Sequence, residues 1–529
     1  MKKNILWIFA MAALLVGCAA NTVDDEKQTK EAKKDNPAQQ GTTFIGGIDI
    51  KPNVTSATRT SLSMTYPGGT QVDYFWEKGD TIWTADGAKG GAQITTKSAT
   101  AKFYLSRGYD TPTVTLYYPG KYATKYNKVM INTYQGQNDP NVTDSLGIYG
   151  DCGTATAHQQ SDKTYSFNLD HKAAFICFLP YSENHFLPSV YVRSIKVTAD
   201  HNIAGTYTLT PTGLTGSGTA NSITLYLGAN FKLTNTTPSQ ATNASYMVIA
   251  PGTHKLTVEY ELAENLYPYA SGKIIKTINS HTYAANTVTP ITVDLTIKDF
   301  SDRKNNFYLW DAQNNYWYNE ATNSQFPNIP TADGEKNENY PKLNTDSRWY
   351  NPSETPATNS CKNCPSFAAM TWYAYAGDPH TEQILFAYNG HLLIGGVWFK
   401  KWNNITATDA NGNTKSTTVP YNNLPPDRGD DEYPQCPAPA TRPAGALWDY
   451  KNGELPGSQY FFLPSLGYTR VGEYSPGSGC YWTSTPYKKK SYEVYSEEAN
   501  HLYILWGRLE FNRSAIPRKF IAEQIWTMQ

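Results

Sequence analysis

The sequence predicts a mainly β protein in which two tandem β-sandwiches precede an α+β domain. Between residues 44 and 298, short runs alternate apolar and polar residues, and this period of two is typical of strands with one buried face. Clusters of Gly, Pro and Asn separate the runs, as expected for turns. A chain of 529 residues has room for about three domains of ~150 residues. We place the sandwiches at residues 44–165 and 166–298 and the α+β domain at residues 299–529.

The first 17 residues are typical of a lipoprotein signal peptide. Lys2 and Lys3 precede an apolar run at residues 5–16, which is shorter than the ~20 residues of a membrane-spanning helix. Residues 15–18 resemble a bacterial lipobox, in which cleavage leaves the cysteine first and fatty acyl chains such as palmitate are attached there. The resemblance implies a lipid anchor on Cys18. An ordinary secretory signal is the alternative, and both predict export.

Residues 18–43 are polar and rich in charge, and they predict a flexible tether. A flexible chain of this length has a reach on the order of 25–30 Å, enough to separate a folded domain from a membrane surface. The whole chain is nearly neutral, with 45 basic and 46 acidic residues. No overall electrostatic field therefore points to nucleic acid as a partner.

Residues 76 and 83 are tryptophans that flank Lys78-Gly79-Asp80. Glycine permits a positive φ and aspartate bonds nearby backbone, so this segment predicts a tight turn. We expect the turn to join two paired strands in a β-hairpin.

Four short motifs occur in an order that resembles the fimbrillin-like proteins: residues 58–60, 75–83, 171–175 and 203–207. Members of that family are lipoprotein subunits of type V pili with two transthyretin-like sandwiches, which polymerise by strand exchange after a leading strand is removed. The resemblance implies other pilus subunits as partners and makes Arg59 a candidate processing site. The alternative is that Arg59 lies within a strand and is not cleaved.

The third segment, residues 299–529, has a different composition, since it contains ten of the 13 tryptophans and long stretches rich in Asn, Pro and Gly. Pro365 precedes a predicted helix at residues 366–376, which Gly377 ends. Runs of apolar residues at 392–399, 460–463 and 481–484 predict strands.

Residues 359–365, 395–401, 462–468 and 479–485 resemble the major-paralogous-type domains of bacterial surface proteins, which have a C-type-lectin-like fold. That family ends in an Arg-rich strand pair, which Arg508, Arg513 and Arg518 match only loosely. The tripeptides of calcium-dependent sugar-binding lectins are missing from the sequence. The resemblance therefore predicts a recognition domain and leaves its ligand-binding residues unknown.

Four cysteines of this segment, Cys361, Cys364, Cys436 and Cys480, are predicted to form structural disulfides, because an exported protein meets an oxidising compartment. Their pairing stays open. Two alternatives remain: a redox pair at Cys361-x-x-Cys364 beside a helix amino terminus, and a zinc site made of all four thiols.

The sequence contains no His-Glu-x-x-His, Gly-x-Ser-x-Gly, phosphate-binding or dinucleotide-binding motif. We therefore expect no enzyme, no cofactor and no metal ligand. The two resemblances together imply a cell-surface lipoprotein of the outer membrane and the fimbrium. It would act as a pilus-associated adhesin or accessory subunit, at the tip, and bind a glycan or protein ligand through its last domain. The alternative is a surface enzyme that acts on carbohydrates.

Overall fold

Strands make up most of the regular structure, which confirms the predicted mainly β class. The computed structural model describes residues 41–47, 61–66, 72–265, 270–318, 341–419, 421, 458–470, 473–475, 477–487, 498–505, 508–511, 516–518 and 521–529. These residues belong to one compact unit, Gly41–Gln529. Among them, no helix has the length and apolar character needed to cross a membrane.

The first part of the chain builds a sheet around a tryptophan. Its elements are β1 (Thr42–Gly46), β2 (Ser61–Met64), β3 (Val72–Phe75), β4 (Thr81–Trp83), β5 (Lys89–Gly91), β6 (Ala101–Leu105), β7 (Thr113–Tyr118), β8 (Lys128–Ile131), β9 (Tyr134–Gln137), α1 (Leu146–Tyr149), β10 (Gly153–Gln159), β11 (Tyr165–Phe167) and β12 (Asp170–His171). The main sheet has the order β5-β4-β7-β10-β11-β1-β6, and a bridge between Ala92 and Phe103 brings its two ends together. Trp76 is fully buried inside, with its ring 4.9 Å from that of Phe103.

The turn at Gly79 is present, but the predicted hairpin is wrong. Gly79 has a φ of +93°, and the Asp80 N–H donates to the Glu77 carbonyl at 3.1 Å. However, β3 pairs with β2, whereas β4 pairs with β5 and β7. Asp80 explains the difference: its carboxylate is buried and accepts hydrogen bonds from the Glu77 N–H and from the Tyr118 hydroxyl of β7. The turn is thereby fixed to the sheet and leads the chain from one strand pair into another.

The second part forms a sandwich of two sheets. Its elements are β13 (Ala174–Tyr181), β14 (Val190–Ala199), β15 (Gly205–Thr210), β16 (Gly213–Thr215), β17 (Ser222–Leu227), α2 (Gln240–Asn243), β18 (Ser245–Ile249), β19 (Gly252–Glu264), β20 (Ser271–Tyr283) and β21 (Val288–Asp294). One sheet has the order β18-β13-β21 and the other β20-β19-β14-β17-β9. Phe178 of β13 meets Tyr260 of β19 across the core, with 6.2 Å between ring centroids.

Strand β9 belongs by sequence to the first predicted sandwich, but it connects the two sheets of the second. Its backbone pairs in parallel with β17 of one sheet. The buried side chain of Gln135 accepts from the Val248 N–H at 2.9 Å and donates to the Val248 carbonyl at 2.8 Å. Gln137 bonds β18 in the same way, through the Tyr246 N–H and the Ala244 carbonyl. Two glutamine amides thus act as backbone groups for β18, which lies in the other sheet.

The third part combines one helix with two further sheets. After a 3₁₀ turn at Ser301–Asn306, its elements are β22 (Phe307–Tyr308), α3 (Phe367–Ala376), β23 (His380–Tyr388), β24 (His391–Lys400), a 3₁₀ turn at Trp402–Asn404, β25 (Tyr460–Pro464), β26 (Tyr468–Arg470), β27 (Glu473–Ser475), β28 (Gly479–Pro486), β29 (Glu498–Leu505), β30 (Arg508–Phe511), β31 (Ile516–Pro517) and β32 (Ile521–Gln524). The sheets have the orders β23-β24-β25 and β27-β26-β32-β28-β29-β30. Helix α3 begins where predicted, because the Ser366 Oγ accepts the Ala369 N–H at 3.1 Å and caps its first turn.

A buried contact between a histidine and a carboxylate joins this third part to the second sandwich. The Nδ1 atom of His391 lies 2.8 Å from the Oε1 atom of Glu264, which is the last residue of β19. The other carboxylate oxygen of Glu264 accepts the Leu392 N–H at 2.6 Å. Leu385 and Leu392 also belong to the apolar core of the second sandwich. The third part is therefore held to the sandwich by shared core packing as well as by the hydrogen bonds of Glu264.

We expect Gln135→Ala to lower the free energy of unfolding by at least about 2 kcal/mol. The substitution leaves two buried backbone groups of Val248 without partners, and each such group costs ~1–3 kcal/mol. Urea unfolding measures the change. Gln93→Ala is the matched control, because the Gln93 amide is exposed and contacts only a nearby carbonyl. Equal stabilities of the two variants would contradict the connecting role of β9.

Candidate functional site

A cleft of about 320 Å³ lies in the third part of the chain. The first 3₁₀ turn, the loop before α3, strand β25 and the last residues of the chain form its walls. The lining residues are Arg303, Asn306, Ser360, Asn363, Cys364, Phe461, Phe462, Leu463, Ile525, Trp526, Thr527 and Gln529. Four separate chain segments therefore meet at this cleft.

The floor of the cleft is aromatic. The rings of Phe461 and Trp526 lie nearly parallel, with an angle of 30° and 6.2 Å between centroids. Tyr373 of α3 contacts both rings, at 5.4 Å and 5.6 Å. The indole N–H of Trp526 donates to the Trp482 carbonyl at 2.9 Å, which fixes the orientation of that ring. Because all four residues are buried, the floor is rigid and apolar.

The rim of the cleft is polar. Asn363, Thr527 and Gln529 are exposed, and their amide and hydroxyl groups both donate and accept hydrogen bonds. The Arg303 guanidinium lies 5.0 Å from the centroid of the Phe300 ring. An apolar floor with a few polar groups at its edge is the usual composition of a ligand-binding pocket.

A buried carboxylate shapes the loop that forms one wall. Asp311 is wholly buried and has a positive φ of 51°. Its Oδ1 atom accepts the N–H groups of Asn359 and Cys361, at 2.8 Å and 3.1 Å. Its Oδ2 atom accepts the Thr358 N–H at 2.8 Å and the Asn351 side-chain amide at 2.7 Å. Sequence reasoning did not find Asp311, because no local motif marks an aspartate whose partners lie about fifty residues further along the chain.

A buried arginine supports the same loop from the other side. The Arg518 guanidinium donates to the carbonyl groups of Asn351, Ser353 and Glu498, at distances of 2.7–3.0 Å. It also lies 4.4 Å from the centroid of the Trp310 ring, the neighbour of Asp311. Arg518 was among the arginines loosely expected near the end of the chain. Of the other two, Arg508 lies in β30 and Arg513 falls outside the described residues.

Of the four cysteines predicted to form disulfides, the structure places two, Cys361 and Cys364, next to each other. Cys361 and Cys364 lie side by side as two thiols that are not bonded to each other, and Cys364 lines the cleft. Burial raises the pKa of the Cys361 thiol well above its ordinary range, and the adjacent Cys364 raises that pKa further. Cys480 is buried in β28, with its Sγ atom 3.7 Å from the Ser478 Oγ, and Cys436 lies outside the described residues. The disulfides stay a prediction.

The raised pKa of Cys361 bears on the redox alternative. A redox-active cysteine needs a thiolate, which an electropositive and accessible setting favours. The Cys361 thiol is wholly buried, and its Sγ accepts the Asp311 N–H at 3.3 Å. Its setting therefore favours the neutral thiol. The other two predicted sites, the lipidation site at Cys18 and the candidate processing site at Arg59, lie outside the described residues.

One group of side chains in the second sandwich could hold a metal ion, although the sequence predicted no metal ligands. Asp200, His201 and His254 place one potential ligand atom each within 4.8 Å of one another. Asp200 and His201 follow β14, whereas His254 lies near the start of β19. The group is invisible in the sequence because pairing of β14 with β19 creates it.

The comparisons with known proteins yield structural neighbours at low similarity. No family model matches the chain, and no curated protein matches it. A candidate cell adhesion protein from Bacteroides ovatus has a TM-score of 0.31 and 11% identity, with 49% of this chain and 93% of that one covered. A second such protein, from Bacteroides eggerthii, has a TM-score of 0.25 and 12% identity, with coverages of 50% and 88%. A fimbrial protein from Bacteroides ovatus has a TM-score of 0.25 and 10% identity, with coverages of 92% and 99%.

We expect Asp311→Asn to lower the free energy of unfolding by at least about 3 kcal/mol. The NH₂ group of the asparagine replaces one of the two carboxylate oxygens, and each oxygen accepts two hydrogen bonds. Two hydrogen bonds to a charged group are therefore lost, at ~1.5–3 kcal/mol each. Thermal and denaturant unfolding measure the change. Asp110→Asn is the control, because Asp110 is exposed, and we expect it to stay within about 0.5 kcal/mol of the wild type. An Asp311→Asn protein as stable as this control would show that the loop does not depend on the carboxylate.

Proposed function

We propose that this protein is a cell-surface lipoprotein that acts as a pilus-associated adhesin or accessory subunit, at the tip, and binds a glycan or protein ligand in its cleft. The observation that carries the proposal is the construction of the cleft. The buried rings of Phe461 and Trp526 form a rigid apolar floor, and Asn363 and Thr527 supply polar groups at the rim. Such a site binds the apolar face of a ligand by stacking and fixes its orientation by hydrogen bonds.

The anchor and the location are proposed from the start of the sequence. A lipid on Cys18 would hold the chain in the outer membrane, and residues 18–43 would separate the folded part from that surface. The contact between Glu264 and His391 supports this proposal, because it attaches the third part of the chain, which contains the cleft, to the second sandwich.

Assembly with other pilus subunits by strand exchange is proposed from the position of β1 together with the fimbrillin-like motifs. Strand β1 runs antiparallel to β6 and parallel to β11, so it lies inside the sheet and not at its edge. Phe44 of β1 is fully buried against Tyr165 of β11, at 5.0 Å between ring centroids. The lipid on Cys18 would hold the uncut chain, and cleavage after Arg59 would break the covalent link of both β1 and this anchor to the rest of the chain. Departure of β1 would then open a groove that a strand of another subunit could fill.

The cleft is tested by a substitution that fills it. Asn363→Trp places a large ring at an exposed rim position, so we expect the protein to keep its melting temperature and to lose affinity by at least about tenfold, or ~1.4 kcal/mol. Binding of the full-length protein in detergent is measured on a glycan array and on immobilised extracellular matrix proteins. Thr406→Trp is the matched control, because Thr406 is exposed and does not line the cleft.

Two outcomes would contradict this proposal. Equal binding by both variants would place the ligand elsewhere on the chain. Release of reducing sugar from the bound glycans, with loss of that activity in Asn363→Trp, would instead support the surface enzyme acting on carbohydrates. Ligand binding without turnover, lost only in Asn363→Trp, is the result that we expect.

A further inference from the structure

The second sandwich contains a buried histidine without a side-chain hydrogen-bond partner. His254 is 5% exposed, and among the described residues at most the Ala250 backbone is placed to bond one of its ring nitrogens. Buried polar groups are nearly always satisfied, and an unsatisfied one costs ~1–3 kcal/mol. The ring is held in place by Tyr283, which stacks on it with an interplanar angle of 28°. At least one nitrogen of this imidazole is therefore left for a further partner.

Two further side chains with potential metal-ligand atoms, Asp200 and His201, lie close to this histidine. The Oδ1 atom of Asp200 lies 3.9 Å from the His254 Nδ1, too far for a hydrogen bond. The same oxygen lies 3.0 Å from the His201 Nδ1. The Lys255 N–H donates to the Asp200 carboxylate at 3.1 Å and so orients it. Oriented carboxylates and histidines are typical of metal sites, where a second shell of hydrogen bonds holds the ligands.

The separations suit a metal ion. Zinc binds imidazole nitrogen and carboxylate oxygen at ~2.0–2.2 Å, so tetrahedral ligand atoms lie about 3.3–3.5 Å apart. The two distances from the Asp200 oxygen, 3.0 Å and 3.9 Å, lie on either side of this value, and all three ligand atoms lie within 4.8 Å of one another. Small side-chain rotations would bring them to the tetrahedral spacing. Imidazole favours zinc, copper and nickel, whereas calcium and magnesium take oxygen ligands.

We propose that Asp200, His201 and His254 bind one divalent transition-metal ion of the zinc class. His254 approaches the ion from the buried side, and the other two side chains approach from the surface, where they are 42% and 72% exposed. Three protein ligands leave at least one coordination position open to water or to a donor group of another molecule.

The experiment is titration calorimetry of the untagged, chelator-treated full-length protein with Zn²⁺ alone. We expect the wild type to bind one ion at this site. His201→Ala and Asp200→Asn should each weaken the binding by at least about tenfold. Both positions are exposed, and Asn retains the acceptor for the Lys255 N–H, so the variants should keep the wild-type melting temperature. His158→Ala is the matched control, because His158 is an exposed histidine outside the cluster.

A second readout is thermal stability. Zn²⁺ that binds the folded state should raise the melting temperature of the wild type and of His158→Ala, and should raise it less in His201→Ala. Absence of zinc binding by the wild type would overturn the proposal. Equal binding by all variants would also overturn it, since the ion would then occupy another place, such as the thiols of Cys361 and Cys364.

Discussion

The buried carboxylate of Asp311 is the interaction on which the third part of the chain depends most. Four hydrogen bonds from the loop at residues 351–361 converge on its two oxygens. Ordering such irregular backbone costs ~1–2 kcal/mol per residue, and each bond to a charged acceptor returns ~1.5–3 kcal/mol. The same loop carries Ser360 and Asn363 to the cleft, and Arg518 holds it from the opposite side. One aspartate therefore connects the stability of the loop to the shape of the proposed binding site.

Much of the fold follows from local patterns in the sequence. Alternation of apolar and polar residues predicted the strands, and β17 and β21 show the expected alternating burial. Ser366 and Gly377 predicted the ends of α3 to within one residue. The pairing of strands was harder to predict, because it depends on residues distant in sequence. Gln135 and Gln137 fall within the residues assigned to the first sandwich, and only the folded chain shows that their amides bond β18 of the second. For the same reason the hairpin predicted after Trp76 does not form.

The candidate sites were less predictable than the strands. The spacing of Cys361 and Cys364 drew attention to both residues. The sequence could not show that Cys361 accepts a hydrogen bond from the Asp311 N–H while Cys364 lines a cleft. The sequence indicated the aromatic floor only through its number of tryptophans, because Trp526, which follows β32, meets Phe461 of β25 only in the folded chain. The proposed metal ligands gave no signal, because fifty residues separate His201 from His254. Sites formed by contacts between distant strands need the fold before they can be recognised.

Hydrogen exchange of individual backbone amides tests the central role of Asp311 most directly. The N–H groups of Thr358, Asn359 and Cys361 belong to a loop and would exchange quickly if they faced water. Because all three donate to the Asp311 carboxylate, we expect them to exchange as slowly as the paired amides of β28. Exchange of the three amides as fast as that of the Glu354 amide, which belongs to an exposed residue of the same loop, would show that the carboxylate does not hold this loop, and the account of the cleft would fail.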